Sequence, residues 1–270
     1  MPGRIAIMTT GLWRMRSDVG AVTGLTPVFT FAPFLPAGVE AVAGWGHKPT
    51  AERARALAKR RKLPYVAIED GFLRSVRPGP EEPPQSLILD RSGIYYDARA
   101  TSDLEQLLNA KQPLDTGAMA QARDAVASLR TTRLSKYNDA PPFPPAQDRG
   151  DRPVVMVIDQ TRGDASIAGG LADRSTFAAM LGAAIAENPG ARIIIKLHPE
   201  TLSGRKLGYL AELALRPGVE LMGEASNPWH MFEFVDKVYT VSSQLGFEAL
   251  MAGCEVVCFG MPFYAGWGLT

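Results

Sequence analysis

The chain has 270 residues, with 29 basic and 28 acidic side chains and a formal net charge of +1. This length exceeds the usual size of one domain and predicts two lobes of about 130 residues each. An apolar fraction of 46% is enough for a core in both lobes. The balance of charge argues against a protein held to nucleic acid mainly by electrostatics.

Cys254 and Cys258 both lie in an apolar stretch. We interpret them as core thiols of a reduced, cytoplasmic protein, because a zinc site needs more ligands nearby. No segment has the roughly 20 apolar residues of a membrane span, and the N-terminus lacks the long apolar part of a signal peptide. A soluble protein is expected. The basic run at 59–62 indicates either the solvated end of a helix or a contact for an anionic membrane surface.

The first half of the chain alternates short apolar runs with helical patterns. Buried strands are predicted at 4–8, 27–31, 39–43 and 64–68. Helices are predicted at 50–62, 102–109 and 116–136. The turn cluster Asp90-Arg91-Ser92-Gly93 lies between apolar runs at 87–89 and 94–97, which predicts a small hairpin. The proline-rich segment 141–153 can continue neither a helix nor a central strand. It is therefore predicted to link an N-terminal lobe, 1–140, to a C-terminal lobe, 154–270.

The alternation becomes regular in the second lobe. Strands are predicted at 154–158, 193–197, 219–221, 237–241 and 255–259. Helices are predicted at 174–187, 205–215, 228–234 and 244–252. Apolar strands that alternate with helices indicate a parallel sheet covered on both faces. Ligands of such sheets bind beyond the carboxyl ends of the strands, so the residues just after each strand are the candidates for function.

Two of these strand ends could hold a phosphate. Ser242-Ser243 leads into a helix and offers hydroxyls and backbone N–H groups, but Ser is equally a favoured helix cap. His198 could donate to a phosphate oxygen and stabilise the charge on a leaving nucleotide, or it could be a structural histidine before Pro199. Lys196, in the strand that precedes His198, points either into a cleft or to solvent. Together these residues predict a sugar-nucleotide site and a glycosyltransferase.

Glu69-Asp70-Gly71 follows the fourth predicted strand of the first lobe. One of two adjacent carboxylates can act as a general base, although an acidic turn closed by Gly71 has the same sequence. The chain has no P-loop, no G-x-G-x-x-G, no His/Cys cluster and no obvious Asp-x-Asp metal motif. A metal-independent transferase without a cofactor is therefore predicted.

Longer segments resemble a known family, and they follow its order along nearly the whole chain. Those of the first lobe are Gly11-Leu12-Trp13-Arg14, Gly44-Trp45-Gly46, Lys48-Pro49-Thr50, Glu69-Asp70-Gly71-Phe72-Leu73-Arg74-Ser75 and Asp90-Arg91-Ser92-Gly93-Ile94-Tyr95-Tyr96-Asp97. Those of the second are Asp159-Gln160-Thr161-Arg162-Gly163-Asp164-Ala165-Ser166, His198-Pro199-Glu200, Ser242-Ser243-Gln244-Leu245-Gly246-Phe247-Glu248 and Pro262-Phe263-Tyr264-Ala265-Gly266-Trp267-Gly268. They resemble the capsule polysaccharide synthesis proteins of the KpsC/LipB type, retaining β-Kdo transferases of Gram-negative bacteria.

The resemblance implies a GT-B-like α/β fold, with two Rossmann-like lobes whose parallel sheets face a central cleft. It implies transfer of Kdo from CMP-β-Kdo to a phosphatidylglycerol-based glycolipid primer at the inner membrane. The capsule machinery is the implied partner, and the location is the cytoplasm or the cytoplasmic face of that membrane. Family members resemble a tandem of two modules, of which this chain matches the first. The pattern continues beyond Trp267-Gly268, so a truncated sequence is expected.

The resemblance also implies roles for individual residues. CMP is expected at His198-Pro199 and at Ser242-Ser243-Gln244. Retention requires two inversions, so a carboxylate attacks the anomeric carbon first. Asp159 is the predicted nucleophile, and Asp164 is its alternative.

Two further roles complete the predicted site. Arg162 or Lys196 is expected to pair with the sugar carboxylate. Glu69 or Asp70 is expected to deprotonate the acceptor hydroxyl. Two other functions stay open: another GT-B enzyme that uses a sialic acid or UDP-sugar donor, and a non-catalytic sugar-nucleotide-binding module.

Overall fold

The structure is a computed structural model, which describes residues 3–79, 82–110, 112–142, 151–213 and 218–270. Over these ranges the chain is an α/β protein with two five-stranded sheets. It divides into two compact units. The first comprises Met1–Phe72, Pro84–Tyr95 and Ala100–Leu108, and the second comprises Leu73–Pro83, Tyr96–Arg99 and Asn109–Thr270.

The sheet of the first unit has the strand order β2-β1-β3-β4-β5. Its strands are β1 Arg4–Ile7, β2 Thr26–Phe29, β3 Val39–Trp45, β4 Tyr65–Asp70 and β5 Leu87–Asp90. The first four are parallel, and β5 runs antiparallel to β4. The helices of this half are α1 Thr10–Arg14, α2 Arg16–Thr23, α3 Glu52–Arg61 and α4 Asp103–Asn109, with a 3-10 turn at Pro49–Ala51 before α3. Apolar side chains of β1, β3 and β4 form the core.

The predicted hairpin between 87–89 and 94–97 is wrong. The first of these runs is β5, but its partner is β4, and 94–97 is not a strand. The buried side chain of Asp90 explains the difference. Its Oδ1 accepts hydrogen bonds from the N–H groups of Ser92, Gly93 and Asp103, at 3.0, 2.7 and 3.2 Å. These bonds fold the turn towards the start of α4. The chain after β5 therefore does not turn back to pair with β5.

The sheet of the second unit is parallel throughout and has the order β10-β9-β6-β7-β8. Its strands are β6 Val154–Ile158, β7 Arg192–Lys196, β8 Val219–Met222, β9 Lys237–Thr240 and β10 Glu255–Cys258. Its helices are α5 Thr116–Thr132, α6 Ala165–Gly169, α7 Arg174–Glu187, α8 Pro199–Leu202, α9 Pro228–Phe232 and α10 Gln244–Ala252. Both faces are apolar because successive residues of a strand point to opposite sides: Met156 and Ile158 belong to one core cluster, and Val155 and Val157 to another.

The helix predicted at 205–215 is absent from the described residues. Residues 205–213 form turns and bends, and 214–217 lie outside the described ranges. The N–H groups of Tyr209 and Leu210 donate to the side chain of Asp159, and the carbonyl of Leu207 accepts from Arg162 N–H. Backbone N–H and C=O groups that would bond each other in a helix instead bond residues at the end of β6.

The observed boundary between the units differs from the predicted linker at 141–153. Residues 109–142 group with the second unit, and 143–150 lie outside the described residues. The turn after α5 is hydrogen bonded to the start of α9: Trp229 Nε1 donates to Leu134 O (2.8 Å), and Asn227 Nδ2 donates to Arg133 O (2.9 Å). These polar contacts attach α5 to the second sheet, and helical periodicity alone does not reveal them.

Candidate functional site

Polar side chains gather at the carboxyl edge of the second sheet. Asp159 follows β6, Lys196 ends β7 with His198 two residues later, and Ser242 follows β9. The strands β9, β6 and β7 are neighbours in the sheet, so these strand ends lie side by side. This is the edge at which open parallel sheets bind ligands.

Gln160 connects two of these loops. Its side chain is buried, and its Oε1 accepts the backbone N–H of Ser242 at 3.0 Å. Its Nε2 lies 3.1 Å from Ser242 Oγ and 3.3 Å from Ser166 Oγ, and the two hydroxyls are 3.1 Å apart. Because the N–H of Ser242 must meet an acceptor, the amide orientation is assigned by this network. Ser242 Oγ then accepts from Gln160 and keeps its own proton for Ser166 or for a bound anion.

The second serine has a capping role. Ser243 is the N-cap of α10, and its hydroxyl accepts Leu245 N–H at 3.2 Å. The adjacent Gln244 donates to Glu248 Oε1 at 3.2 Å. The sequence left phosphate binding and capping as equal alternatives for this pair. In the structure Ser243 caps the helix, whereas the hydroxyl of Ser242 belongs to the polar network.

His198 is held as a neutral hydrogen-bond donor. It is the N-cap of α8, whose first residue is Pro199, and its Nδ1 accepts Glu200 N–H at 3.1 Å. Burial lowers the pKa of His198 to about 4. Since Nδ1 accepts, the proton of the neutral ring is on Nε2, which can donate to an anion.

Lys196 is buried at the end of β7, with 6% of its surface exposed. Its ammonium group forms no hydrogen bond or ion pair with the other described residues. Burial lowers its pKa to about 8. A buried ammonium group without a counter-charge is unfavourable, and a bound carboxylate or phosphate relieves that cost.

Asp159 is almost completely covered, with 1% of its surface exposed. Its Oδ1 accepts from the N–H groups of Gln160, Tyr209 and Leu210, at 2.9, 2.9 and 3.2 Å. Its Oδ2 is buried without a hydrogen-bond partner among the described residues, and a Cβ at Gly208 would collide with it. Burial raises the pKa of Asp159, opposed by these backbone hydrogen bonds.

Arg162 holds the segment that covers Asp159. Its Nε donates to Gly208 O at 2.8 Å, its Nη2 lies 3.3 Å from Glu212 Oε1, and its guanidinium packs over the ring of Tyr209. This geometry does not direct Arg162 to a ligand, and it leaves Lys196 as the better placed of the two predicted partners for a sugar carboxylate. Asp164, the alternative nucleophile, is exposed and caps α6 by accepting Ser166 N–H at 2.9 Å.

Glu69 and Asp70 lie at the end of β4, in the first unit. Glu69 is buried, and its Oε1 lies 3.4 Å from Lys48 Nζ and accepts Asp70 N–H at 3.2 Å. The structure therefore gives Glu69 a cationic neighbour within its own unit.

The described residues contain no group of three or more His, Cys, Asp or Glu side chains arranged to hold a metal ion. In the same part of the chain, no helix is both long and apolar enough to cross a membrane.

The sequence matches the model of the "Capsule polysaccharide biosynthesis protein" family over residues 40–148 and 144–270. The chain belongs to this family. It is 46% identical over 237 residues to the capsule polysaccharide modification protein LipA of Neisseria meningitidis serogroup A, covering 86% of this chain and 34% of LipA. It is 35% identical over 256 residues to the lipopolysaccharide-processing protein LpsZ of Rhizobium meliloti, covering 92% of this chain and 56% of LpsZ. The chain thus spans about a third to a half of the length of these relatives.

Two solved structures share the fold. One is Thermosulfurimonas dismutans KpsC, described as a beta Kdo 2,4 transferase, with a TM-score of 0.94 and 47% identity. The match covers 100% of this chain and 84% of that one. The other, described as the beta Kdo 2,7 transferase of the same KpsC, gives a TM-score of 0.67 and 26% identity over 99% of this chain and 82% of that one. The predicted family and the GT-B-like α/β fold class are confirmed.

Sequence reasoning missed two residues of this edge. Gln160 was part of a segment that matches the family, but no role was predicted for it. The same signal that singled out Asp159, a polar side chain at the end of a buried strand, also applies to Gln160. Glu248 was missed because it lies on an apolar helix. It is buried, Ser135 Oγ donates to its Oε2 at 2.6 Å, and burial raises its pKa to about 7.

Proposed function

We propose that this chain is a glycosyltransferase that takes Kdo from CMP-Kdo and transfers it, with retention of configuration, to a glycolipid primer. The similarity to structures described as Kdo transferases supports the sugar and the reaction. The observation that carries the proposal is the set of anion-binding groups at three neighbouring strand ends of the second sheet. They are the neutral Nε2–H of His198, the hydroxyl of Ser242 held by Gln160, and the unpaired cation Lys196.

These groups suit the leaving nucleotide and the sugar carboxylate. As the bond between the anomeric carbon and the phosphate breaks, negative charge develops on the phosphate oxygens. Donors placed before the reaction stabilise that charge without reorganisation. His198 and Ser242 supply such donors, and Lys196 offers a charge-assisted bond to the carboxylate that every Kdo carries. No metal or cofactor has a part in the proposal.

Asp159 is the proposed nucleophile. Its carboxylate attacks the anomeric carbon, the bond to phosphate breaks, and CMP leaves with the electron pair. The acceptor hydroxyl then attacks the same carbon, its proton passes to Glu69 or Asp70, and the Asp159 carboxylate leaves. Two inversions give retention. The unpartnered Oδ2 supports this role, because the buried oxygens of a purely structural carboxylate are both expected to be hydrogen bonded.

The first step requires movement of the segment at 207–210. Gly208 lies against Asp159 Oδ2, and two backbone N–H groups of the segment bond Oδ1. Donor binding must displace these contacts before the carboxylate can reach a sugar. The hydrogen bonds of Arg162 to the same segment make it a part of that motion rather than a direct ligand.

The proposed partners are a phosphatidylglycerol-based primer and the capsule biosynthesis machinery at the cytoplasmic face of the inner membrane. Family membership supports the capsule pathway.

Mass spectrometry of the intact protein tests this function. The protein is incubated in parallel with CMP-Kdo, a CMP-sialic acid and a UDP-sugar, and peptides are then mapped. We expect one Kdo adduct, on Asp159 and from CMP-Kdo alone. Asp159→Asn should form no adduct and lose at least about a thousandfold in transfer while it still binds CMP.

Asp164→Asn is the matched control and should form the adduct as the parent does. Turnover of another donor assigns the chain to a different GT-B transferase. Binding of CMP without hydrolysis, transfer or an adduct makes it a non-catalytic module. Retained transfer in Asp159→Asn removes this residue from the mechanism.

A further inference from the structure

The first unit exposes two aromatic rings in the crossover between β2 and β3. Phe31 and Phe34 are each 64% exposed, and their rings meet edge to face with centroids 5.4 Å apart. The crossover is not a loose loop: Phe34 N–H donates to Phe31 O at 2.9 Å, and Thr30 Oγ1 donates to Phe34 O at 2.7 Å. Two phenyl rings are therefore held at a fixed place in contact with water, and the exposure of their apolar surface is unfavourable.

Helix α3 lies against this crossover. Leu35 packs against the core cluster that contains Ala54 and Ala58 of α3, and Arg61 Nη2 donates to Pro33 O at 3.1 Å. The aromatic pair and the end of α3 therefore belong to one surface. We name this surface, made of Phe31, Phe34 and the basic residues Lys59, Arg60, Arg61 and Lys62, the aromatic-basic face.

The charge of this face has one sign. Its exposed basic residues are Lys59, Arg60, Arg61 and Lys62, at the end of α3. None of these four forms an ion pair within the described part of the chain. The acidic residue of α3 is Glu52, at the opposite end of the helix. The net charge of the whole chain is only +1, so this local excess of positive charge is a feature of the face and not of the composition.

We propose that the aromatic-basic face docks on an anionic lipid bilayer. Exposed aromatic rings enter the boundary between headgroups and acyl chains, and lysine and arginine side chains attract anionic headgroups within about a Debye length. The face offers both groups side by side, with the rings fixed and the cations unneutralised. This proposal does not depend on which sugar donor the protein uses.

Vesicle sedimentation tests the proposal with the whole chain. The parent protein should bind vesicles of phosphatidylcholine with about a third phosphatidylglycerol, bind pure phosphatidylcholine weakly, and lose affinity as salt is raised. Each basic residue near an anionic surface changes affinity about fivefold, so Lys59→Gln with Arg60→Gln and Lys62→Gln should lower binding about a hundredfold. Phe31→Ser with Phe34→Ser should lower binding about tenfold or more and leave a weaker, more salt-sensitive attraction.

Matched controls separate this face from general effects. Arg123→Gln with Arg130→Gln removes exposed charges from α5, and Leu107→Ser removes an exposed apolar side chain from α4. Both should bind vesicles as the parent does, and CMP binding should be unchanged in every variant, which reports folding and the donor site independently. Controls that lose as much binding, or face variants that bind normally, overturn the proposal. A shift of the monomer–dimer equilibrium in the Phe31/Phe34 variant, with vesicle binding intact, assigns the face to a second copy instead.

Discussion

The carboxyl edges of the two sheets carry charge in different ways. In the first unit Glu69 has Lys48 as a counter-charge 3.4 Å away. In the second, Lys196 is buried without a partner among the described residues, and His198 is kept neutral. A buried charge without a partner opposes folding, so its presence points to a ligand that supplies the missing charge. This difference is the reason why the proposed anionic donor is placed at the second edge and not at the first.

The largest effect that sharpens this contrast is expected from Lys196→Met. Burial holds the folded pKa of Lys196 at about 8, below its usual 10.5, so wild-type stability falls as the pH drops from 10.5 to 8. At pH 7 the variant escapes this cost, and its free energy of unfolding should rise by about 1–3 kcal/mol. Loss of the charged bond should weaken binding of CMP-Kdo about a hundredfold. Calorimetry and chemical unfolding measure the two changes.

Lys206→Met is the matched control. Lys206 is half exposed and pairs with Glu200 at 2.8 Å, so its loss should change stability by less than about 1 kcal/mol. A Lys196→Met variant that is less stable, or that binds the donor normally, contradicts the difference drawn between the two edges.

The second prediction concerns the orientation of Ser242. Gln160→Glu keeps the size of the side chain and an acceptor for Ser242 N–H, but it removes the Nε2–H donor. The hydroxyls of Ser242 and Ser166 then turn towards the new carboxylate, which also adds a negative charge beside the phosphate site. We expect about a tenfold weaker affinity for CMP, measured by calorimetry.

Gln244→Glu is the comparison for this variant. It adds the same charge on α10, two residues from Ser242, and replaces the hydrogen bond to Glu248 without altering the Gln160 network. If both variants weaken CMP equally, charge alone explains the effect and Gln160 does not position the hydroxyl. A Gln160→Glu protein that binds CMP like the parent removes Ser242 from the phosphate site.

The difference between the edges also shows what sequence can predict. The regular strand pattern of the second half placed the carboxyl ends of β6, β7 and β9 correctly, because buried parallel strands are continuous apolar runs. That pattern was enough to gather Asp159, His198 and Ser242. The resemblance to a family, which the comparisons confirm, supplied the ligand that we propose.

The features that were predicted wrongly or not at all depend on contacts between residues far apart in the sequence. The helix predicted at 205–215 fails because Tyr209 and Leu210 bond a carboxylate 50 residues earlier in the chain. The hairpin fails because Asp90 bonds the start of α4. Burial of Lys196 and neutrality of His198 are likewise tertiary effects, since both residues have ordinary pKa values in an isolated peptide.

The smallest expected effect is a pH dependence of stability that arises from His198. Its folded pKa of about 4 lies below the 6.5 of an unfolded histidine, so the unfolded chain takes up a proton first as the pH falls. Its contribution to stability is present above pH 6.5 and is lost between 6.5 and 4. Asn in place of His198 still caps α8 through Glu200 N–H but does not titrate. Chemical unfolding at pH 7.5 and pH 5 should therefore show that the parent loses about 1–2 kcal/mol more than His198→Asn. An equal loss in both proteins means that the folded pKa of His198 stays near 6.5, so the fold does not hold the imidazole neutral at pH 5 and burial does not select the neutral Nε2–H donor.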